Sequence, residues 1–170
     1  MGKDEVTIMF YIDDKIIKYE KNEQYIECIQ YLYRLWKQKS TEQVYLRICA
    51  EIWYILTFNQ IDIYLENGEI EYLNKITKEL YECLEMESNQ LLVWGYMLSI
   101  RPDLFLNVNN NYLELEEIGK TYIELSEKKG NKLASLLLNK PQNKNQNLNL
   151  EDYFNKNSVV DEYFLEIFYM

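Results

Sequence analysis

The 170-residue sequence contains no histidine, and this absence removes several classes of functional site at once. A catalytic triad with a histidine base, a zinc site with imidazole ligands and a switch based on imidazole protonation are all excluded. Only five glycines occur, and none forms the kind of Gly-rich loop that cradles phosphate groups. We therefore predict that the protein is not an enzyme and that it carries no catalytic residue, cofactor or metal ion.

The sequence is also poor in cysteine, with Cys28, Cys49 and Cys83 far apart and each within a helix-like apolar pattern. Their odd number and wide spacing predict buried, reduced thiols. The apolar run from Val6 to Ile12 is too short for a secretory signal, and no stretch reaches the roughly 18 apolar residues of a membrane span. We expect a cytoplasmic protein that does not enter a membrane.

Positive charge is scarce, because 18 Lys and Arg residues face 28 Asp and Glu residues and give a formal net charge of -10. The imbalance is confined to residues 61–127, which hold 14 acidic and 4 basic residues, while both flanking parts are close to neutral. A net negative charge argues against nucleic acid as a partner, since phosphates require a basic face.

What the sequence does contain is helical periodicity. Residues 20–38 place apolar side chains on one face at Tyr25, Ile29, Leu32 and Trp36. Ser40 and Gln43 then match a capping box at the start of a second helix over 41–58. That helix is apolar on most of its circumference, which is typical of a helix buried between neighbours.

Four further helices are predicted downstream. The third covers 69–85, with inward residues Ile70, Leu73, Ile76, Leu80 and Leu84. The fourth covers 89–100, begins at Ser88 as N-cap and ends before Pro102. The fifth covers 111–128, with inward residues Leu115, Ile118, Tyr122 and Leu125, and Gly130 stops it. Asn131 caps a sixth helix that ends near Asn139.

The two ends of the chain are less regular. Residues 6–19 are compatible with a small hairpin that turns at Asp13–Asp14 or with one more helix, and the helical context favours the helix. Residues 141–149 are polar and of low complexity, which predicts a loop or linker. Residues 150–170 are rich in aromatics, so we expect this tail to dock on the helices as a short helix pair within a single domain.

An internal similarity suggests a repeat of about 40 residues. The segment EIWYILTF around Trp53 resembles LVWGYMLSI around Trp94, an offset of 41, and Gly95 would allow close helix packing. The predicted fold is therefore all-α, with antiparallel helix pairs packed as a short helical-repeat array or, alternatively, as a plain helical bundle.

The acidic segment supplies the candidate binding residues. Tyrosines, which are common interface anchors, alternate there with carboxylates. The predicted partner-binding residues are Glu66, Glu69, Glu71, Tyr72, Glu79, Glu82, Asp103, Tyr112, Glu116 and Glu117. A surface of this sign fits a basic protein, although the same acids are also compatible with a face that serves only solubility. Paired carboxylates such as Glu116–Glu117 arise readily on a Glu-rich helix and carry no catalytic signature.

Two segments, LRICAEIWYILTF at Leu46–Phe58 and LLVWGYMLSIRPDLF at Leu91–Phe105, resemble small helical, TPR-like bacterial immunity proteins of toxin–immunity and contact-dependent growth inhibition systems. The resemblance spans roughly Tyr19 to Leu138. It implies a cytoplasmic protein that binds and neutralises one cognate toxin, often a nuclease with a basic cleft. Two alternatives are a helical adaptor that binds a peptide in an aromatic-lined groove, and an enzyme with converging carboxyl groups in a pocket.

Overall fold

A computed structural model describes residues 7–58, 65–138 and 148–170. These ranges contain α-helices and two short 3₁₀ turns but no strand, which confirms the all-α fold class. The helices are α1 (Asp14–Lys21), α2 (Tyr25–Gln38), α3 (Glu42–Phe58), α4 (Asn67–Glu82), α5 (Ser88–Ile100), α6 (Tyr112–Lys128), α7 (Lys132–Leu138) and α8 (Val159–Tyr169). The 3₁₀ turns cover Pro102–Phe105 and Leu150–Asp152.

The described residues group into two compact units. The terminal unit contains residues 7–51 and 148–170, and the central unit contains residues 52–58 and 65–138. The boundary falls between Glu51 and Ile52, inside α3. The polar segment predicted over 141–149 lies outside the described residues except for its last two positions, and the single-domain assignment stays a prediction.

The N-terminal segment forms the favoured helix only from Asp14 onward and does not form the alternative hairpin over its described residues, 7–19. Residues 7–12 have no regular structure, and the N–H of Tyr11 donates to the carbonyl of Gln43 at 3.0 Å. Asp13 does not turn a hairpin, because its Oδ1 accepts the N–H of Ile16 at 2.9 Å and caps α1. The helix therefore begins only at Asp14, where an N-cap carboxylate satisfies an otherwise orphan donor.

The C-terminal residues pack within the terminal unit. Met9 donates its N–H to the carbonyl of Tyr153 at 2.9 Å. The fully buried Phe10 ring lies 5.9 Å from the ring of Phe154 and 5.0 Å, edge-on, from that of Phe164. The expected helix pair is instead one 3₁₀ turn followed by α8.

The first two long helices follow their sequence pattern with one correction at a cap. The predicted stripe of α2 is buried at Tyr25, Ile29, Leu32 and Trp36. The predicted Ser40–Gln43 capping box is wrong, because the Ser40 hydroxyl donates back to the carbonyl of Trp36 and Gln43 Nε2 donates to the carbonyl of Ile8. Thr41 Oγ1 accepts the N–H of Val44 in its place.

In the central unit, α5 and α6 form an antiparallel pair at very close range. A Cβ on Gly95 would lie 2.9 Å from the carbonyl oxygen of Gly119, which confirms that Gly95 permits close packing. The Ser126 hydroxyl donates to the carbonyl of Ser88 at 2.6 Å, so the C-terminal end of α6 meets the first residue of α5. Ser88 is therefore inside α5, and Glu87 rather than Ser88 occupies the N-cap position.

The inward face of α6 is rotated from the prediction. Leu115 is buried as expected, but Ile118, Tyr122 and Leu125 are only half-buried. The other buried positions are Gly119, Ile123 and Ser126. Gly119 and Ser126 face α5 at close range, so there is no room at this contact for the larger side chains that the apolar pattern favoured.

The core of the central unit is aromatic. Trp53 and Trp94, the two tryptophans of the proposed repeat, both contact the buried ring of Phe105 at centroid distances of 6.1 and 5.8 Å. The hydroxyls of Tyr81 and Tyr122 lie 3.3 Å apart and join α4 to α6. These contacts fix the helices that carry the acidic residues.

Candidate functional site

The ten predicted partner-binding residues all lie in the central unit, but they do not form one uniform acidic surface. Six of them belong to α4 and its N-cap, three to α6, and Asp103 to the turn between α5 and α6. The exposed members are Glu66, Glu71, Glu82, Asp103, Tyr112 and Glu117. The half-buried members are Glu69, Tyr72, Glu79 and Glu116.

At least three of the predicted carboxylates have partners within the chain. Glu69 Oε2 accepts the N–H of Glu66 at 3.0 Å and so caps α4. Asp103 forms a two-pronged ion pair with Arg101 at 2.9 and 2.7 Å, which lowers the pKa of Asp103 and raises that of Arg101. Glu116 pairs with Lys120 one turn along α6. These groups offer less negative charge to a partner than the sequence count indicates.

The exposed side of α4 is mixed in sign. Glu71 and Glu82 share it with Lys75 and Lys78. The attraction of this face for a basic partner is therefore weak, because two exposed acids and two exposed lysines leave no net charge to act over long range.

The exposed side of α6 begins with apolar groups and carries more acidic residues than basic ones, since Lys120 and Lys128 are exposed there as well. Tyr112 and Leu113 are 46% and 69% exposed at the start of the helix. Glu114, Glu117 and Glu124 are exposed beyond them, and Glu117 and Glu124 share one face because seven residues make almost two turns. We call Tyr112, Leu113, Glu114, Glu117 and Glu124 the α6 strip.

Sequence reasoning identified only part of the α6 strip. Leu113, Glu114 and Glu124 were absent from the candidate residues, although all three are exposed. A helical wheel would have found them once the buried face was placed at Gly119 and Ile123, but the apolar pattern favoured a different face.

A second cluster of charged groups lies in the terminal unit and is fully buried. Arg47 of α3 pairs with Asp161 of α8 at 2.5 Å, with Glu20 of α1 at 3.4 Å and with Glu51 at 3.6 Å, and none of these four side chains is exposed. Arg47 Nε also donates to the carbonyl of Tyr11 at 2.7 Å. We call Glu20, Arg47, Glu51 and Asp161 the Arg47 cluster.

Sequence reasoning missed the Arg47 cluster, although a signal was present. Arg47 and Glu51 lie four residues apart in a helix whose other positions are mostly apolar. A charged residue in a buried helix requires a partner, since an isolated charge in a low-dielectric interior is very costly. Neither Glu20 nor Asp161 is near Arg47 in sequence, so the partners themselves were not identifiable.

Burial dominates the electrostatics of the Arg47 cluster. Loss of solvent raises the pKa of Glu51 well above its ordinary value, and the neighbouring Glu20 carboxyl raises it further. Burial also raises the pKa of Asp161, although Arg47 opposes that shift. Because these carboxyl groups converge without any exposed surface, they offer no access to a substrate.

One small cavity lies in the terminal unit. It has a volume of about 200 Å³ and is lined by Glu151, Phe154, Asn155, Lys156, Glu162 and Leu165. Lys156 already pairs with Glu151 at its edge. Across residues 7–58, 65–138 and 148–170, no three Cys, Asp or Glu side chains are arranged to hold a metal ion.

The cysteines differ from one another. Cys28 and Cys49 are buried as predicted, and burial raises the pKa of both thiols. Cys83 is exposed at the C-terminal cap of α4, so the prediction of a buried thiol is wrong there. Its position directly after the last helical turn leaves it outside the buried stripe of Leu73, Ile76 and Leu80.

None of the helices that the structure describes combines the length and the apolar character needed to cross a membrane. No protein-family model matches the chain, and comparisons with curated proteins and with solved structures found no match.

Proposed function

We propose that this chain is an immunity protein that binds and neutralises a basic protein toxin, and that the α6 strip is the surface it presents. The observation that carries the proposal is the exposure of Tyr112 and Leu113 beside Glu114, Glu117 and Glu124 on one helix. Apolar anchors next to predominantly negative charge are typical of surfaces that recognise a basic protein, and here three exposed carboxylates share the helix with the exposed Lys120 and Lys128.

The two kinds of residue in the α6 strip have different tasks. The carboxylates attract a cationic partner over long range and raise the association rate, an effect that salt screens. Tyr112 and Leu113 lose their solvent on contact and slow dissociation, because buried apolar and aromatic anchors dominate the energy of most interfaces. A toxin with a basic nucleic-acid-binding cleft would be blocked when this strip covers the cleft.

The adaptor alternative depends on aromatic side chains that line a groove. The core aromatics of the central unit do not have that exposure, since Trp53, Trp94 and Phe105 are at most 1% exposed and both tryptophans contact Phe105. This observation favours a partner that binds an outer helical surface over a peptide held among aromatic residues.

The first experiment expresses the protein encoded directly upstream in the source genome, alone and together with this chain. Growth arrest by that protein and rescue by co-expression would support the proposal. An upstream protein without toxicity, or toxicity that this chain does not relieve, would overturn it.

The second experiment measures association of the purified pair. We expect Glu117→Lys with Glu124→Lys to lower the association rate by about tenfold or more at low salt, and by much less at high salt. Glu27→Lys with Glu166→Lys is the matched control, because it reverses two exposed acids in the terminal unit. Equal effects of the two double variants would remove the α6 strip from the interface.

A further inference from the structure

The Arg47 cluster is also the point at which the C-terminal residues attach to the rest of the terminal unit. Glu20 accepts the N–H of Val159 at 2.8 Å and the hydroxyl of Ser158 at 3.0 Å. Asp161, in the first turn of α8, pairs with Arg47 at 2.5 Å. Buried charged groups of α1 and α3 therefore hold the start of α8 in place.

The cluster holds more carboxyl groups than its single cation can neutralise. One guanidinium faces the carboxyls of Glu20, Glu51 and Asp161. Glu20 and Asp161 also accept hydrogen bonds from backbone N–H groups, whereas neither oxygen of the Glu51 carboxylate has a donor within hydrogen-bond distance. A buried carboxylate without any hydrogen-bond donor is strongly unfavourable, so the neutral form of Glu51 is favoured over the ionised form.

A proton on Glu51 resolves this imbalance. The protonated carboxyl becomes a donor, and its hydrogen-bond neighbour is the carboxylate of Glu20. The net negative charge of the cluster is then smaller by one unit, and Glu20 keeps its bonds to Ser158 and Val159.

We propose that the Arg47 cluster binds one proton, carried by Glu51 and donated in a hydrogen bond to Glu20, and that this proton controls how firmly residues 148–170 are attached to α1 and α3. When Glu51 ionises, two adjacent carboxylates compete for Arg47 without water to screen them. Separation of Glu20 from the cluster relieves that repulsion, but it also breaks the contacts of Glu20 with Ser158 and Val159.

The charged and titratable groups that interact with Glu51 come from four helices. They are Glu20 of α1, Cys28 of α2, Arg47 of α3 and Asp161 of α8. Only Arg47 favours the ionised form, while Glu20 and Asp161 oppose it, in agreement with the raised pKa of Glu51. Cys28 is a neutral thiol, because burial holds its pKa far above neutral pH.

The direction of the pH dependence follows from this raised pKa. A carboxyl that is more basic in the attached state binds its proton there at a pH at which the detached state has already lost it. Within the pH range between the ordinary glutamate pKa, near 4.3, and the raised pKa of Glu51, each increase of one pH unit therefore favours detachment about tenfold. Attachment is firmest at mildly acidic pH and weakens as the pH rises.

The test measures hydrogen–deuterium exchange of α8 in the full chain from pH 5 to pH 8, expressed as protection factors that remove the intrinsic pH dependence of exchange. We expect the protection of α8 to fall about tenfold per pH unit over at least one unit. The Glu51→Gln variant keeps a donor to Glu20, the amide N–H, but has no titratable group at this position. The dependence of α8 protection on pH should therefore be weaker in this variant by about one factor of ten per pH unit. Glu162→Gln, an exposed change on the same helix, should keep the original slope.

Equal slopes for the Glu51→Gln variant and the unsubstituted protein would overturn the proposal. A carbon-13 titration of the unsubstituted protein provides a second test that does not depend on folding of the variant. The Glu51 carboxyl should remain protonated at a pH at which exposed glutamates have ionised, and a Glu51 carboxyl that titrates together with exposed glutamates would equally overturn the proposal.

Discussion

The carbonyl oxygen of Gly95 lies 2.9 Å from the position that a Cβ on Gly119 would occupy. The backbone N of Ser99 is closer still to that position, at 2.5 Å. These neighbours are backbone atoms of α5, which cannot rotate away as a side chain can. The two helices therefore approach each other by means of glycine, and α6 takes its orientation from this contact.

Replacement of Gly119 by alanine should destabilise the protein. The added methyl group has no space, and relief by movement of α6 would disturb the packing around Ile123. We expect a loss of about 1–3 kcal/mol in the free energy of unfolding, the usual range for overpacking. Urea denaturation followed by circular dichroism measures this change.

Gly68→Ala is the matched control for the glycine experiment. Gly68 lies within α4 and has no atom within 4 Å of the Cβ position. Alanine there should stabilise the protein by about 0.5–1 kcal/mol, because glycine loses more backbone freedom in a helix. A Gly119→Ala variant as stable as Gly68→Ala would show that the helices separate without cost.

Replacement of Arg47 by methionine should be among the most damaging single changes in the terminal unit. It leaves Glu20 and Asp161 buried without their cation, so we expect a loss of about 3–5 kcal/mol in the free energy of unfolding. Arg34→Met, an exposed change on α2, should alter stability by less than about 0.5 kcal/mol. Denaturant midpoints of the two variants at pH 7 provide the comparison, and similar midpoints would contradict the prediction.

The three thiols should react at very different rates. Cys83 is exposed, so Ellman's reagent should modify it rapidly in the native protein. Cys28 and Cys49 are buried, and burial raises the pKa of each thiol, so both should react only as the protein opens. Cys83→Ser should abolish the rapid phase and leave the slow one. If more than one thiol per chain reacted in the rapid phase, a buried cysteine would be accessible in the native protein.

Asn131 should contribute more than an ordinary helix cap. Its Oδ1 accepts the N–H groups of Leu133 and Ala134, and its Nδ2 donates to Asn89 at 2.9 Å. Asn131→Ala removes all three bonds and should cost about 1–2 kcal/mol in the free energy of unfolding. Asn110→Ala, at an exposed position, is the control. Equal unfolding midpoints for both variants would refute this role of Asn131.

The sequence predicted most helices with close boundaries because periodicity and caps are local properties. The spacing of Tyr25, Ile29, Leu32 and Trp36 identified the buried face of α2. Asn111 and Pro102 marked ends that the structure keeps, because an N-cap side chain and a proline ring act on neighbouring backbone groups. Local rules failed at Ser40, where two adjacent hydroxyl residues competed for the same cap.

The candidate site was predictable only in part. The sequence located the negative charge within residues 61–127, but it did not show that carboxylates such as Asp103 and Glu116 have partners within the chain. Such pairing depends on which face of each helix is buried. That face is set by the Gly95–Gly119 contact between helices and not by the apolar pattern of α6 alone.

The sequence by itself determined an all-helical chain without histidine chemistry, with its excess negative charge in the middle. Only the tertiary structure brought Arg47 to Glu20 and Asp161, which are 27 and 114 positions away from it along the chain. The physical reason is that secondary structure follows from short-range spacing. A buried ion pair, by contrast, exists only when distant segments exclude water from the same place.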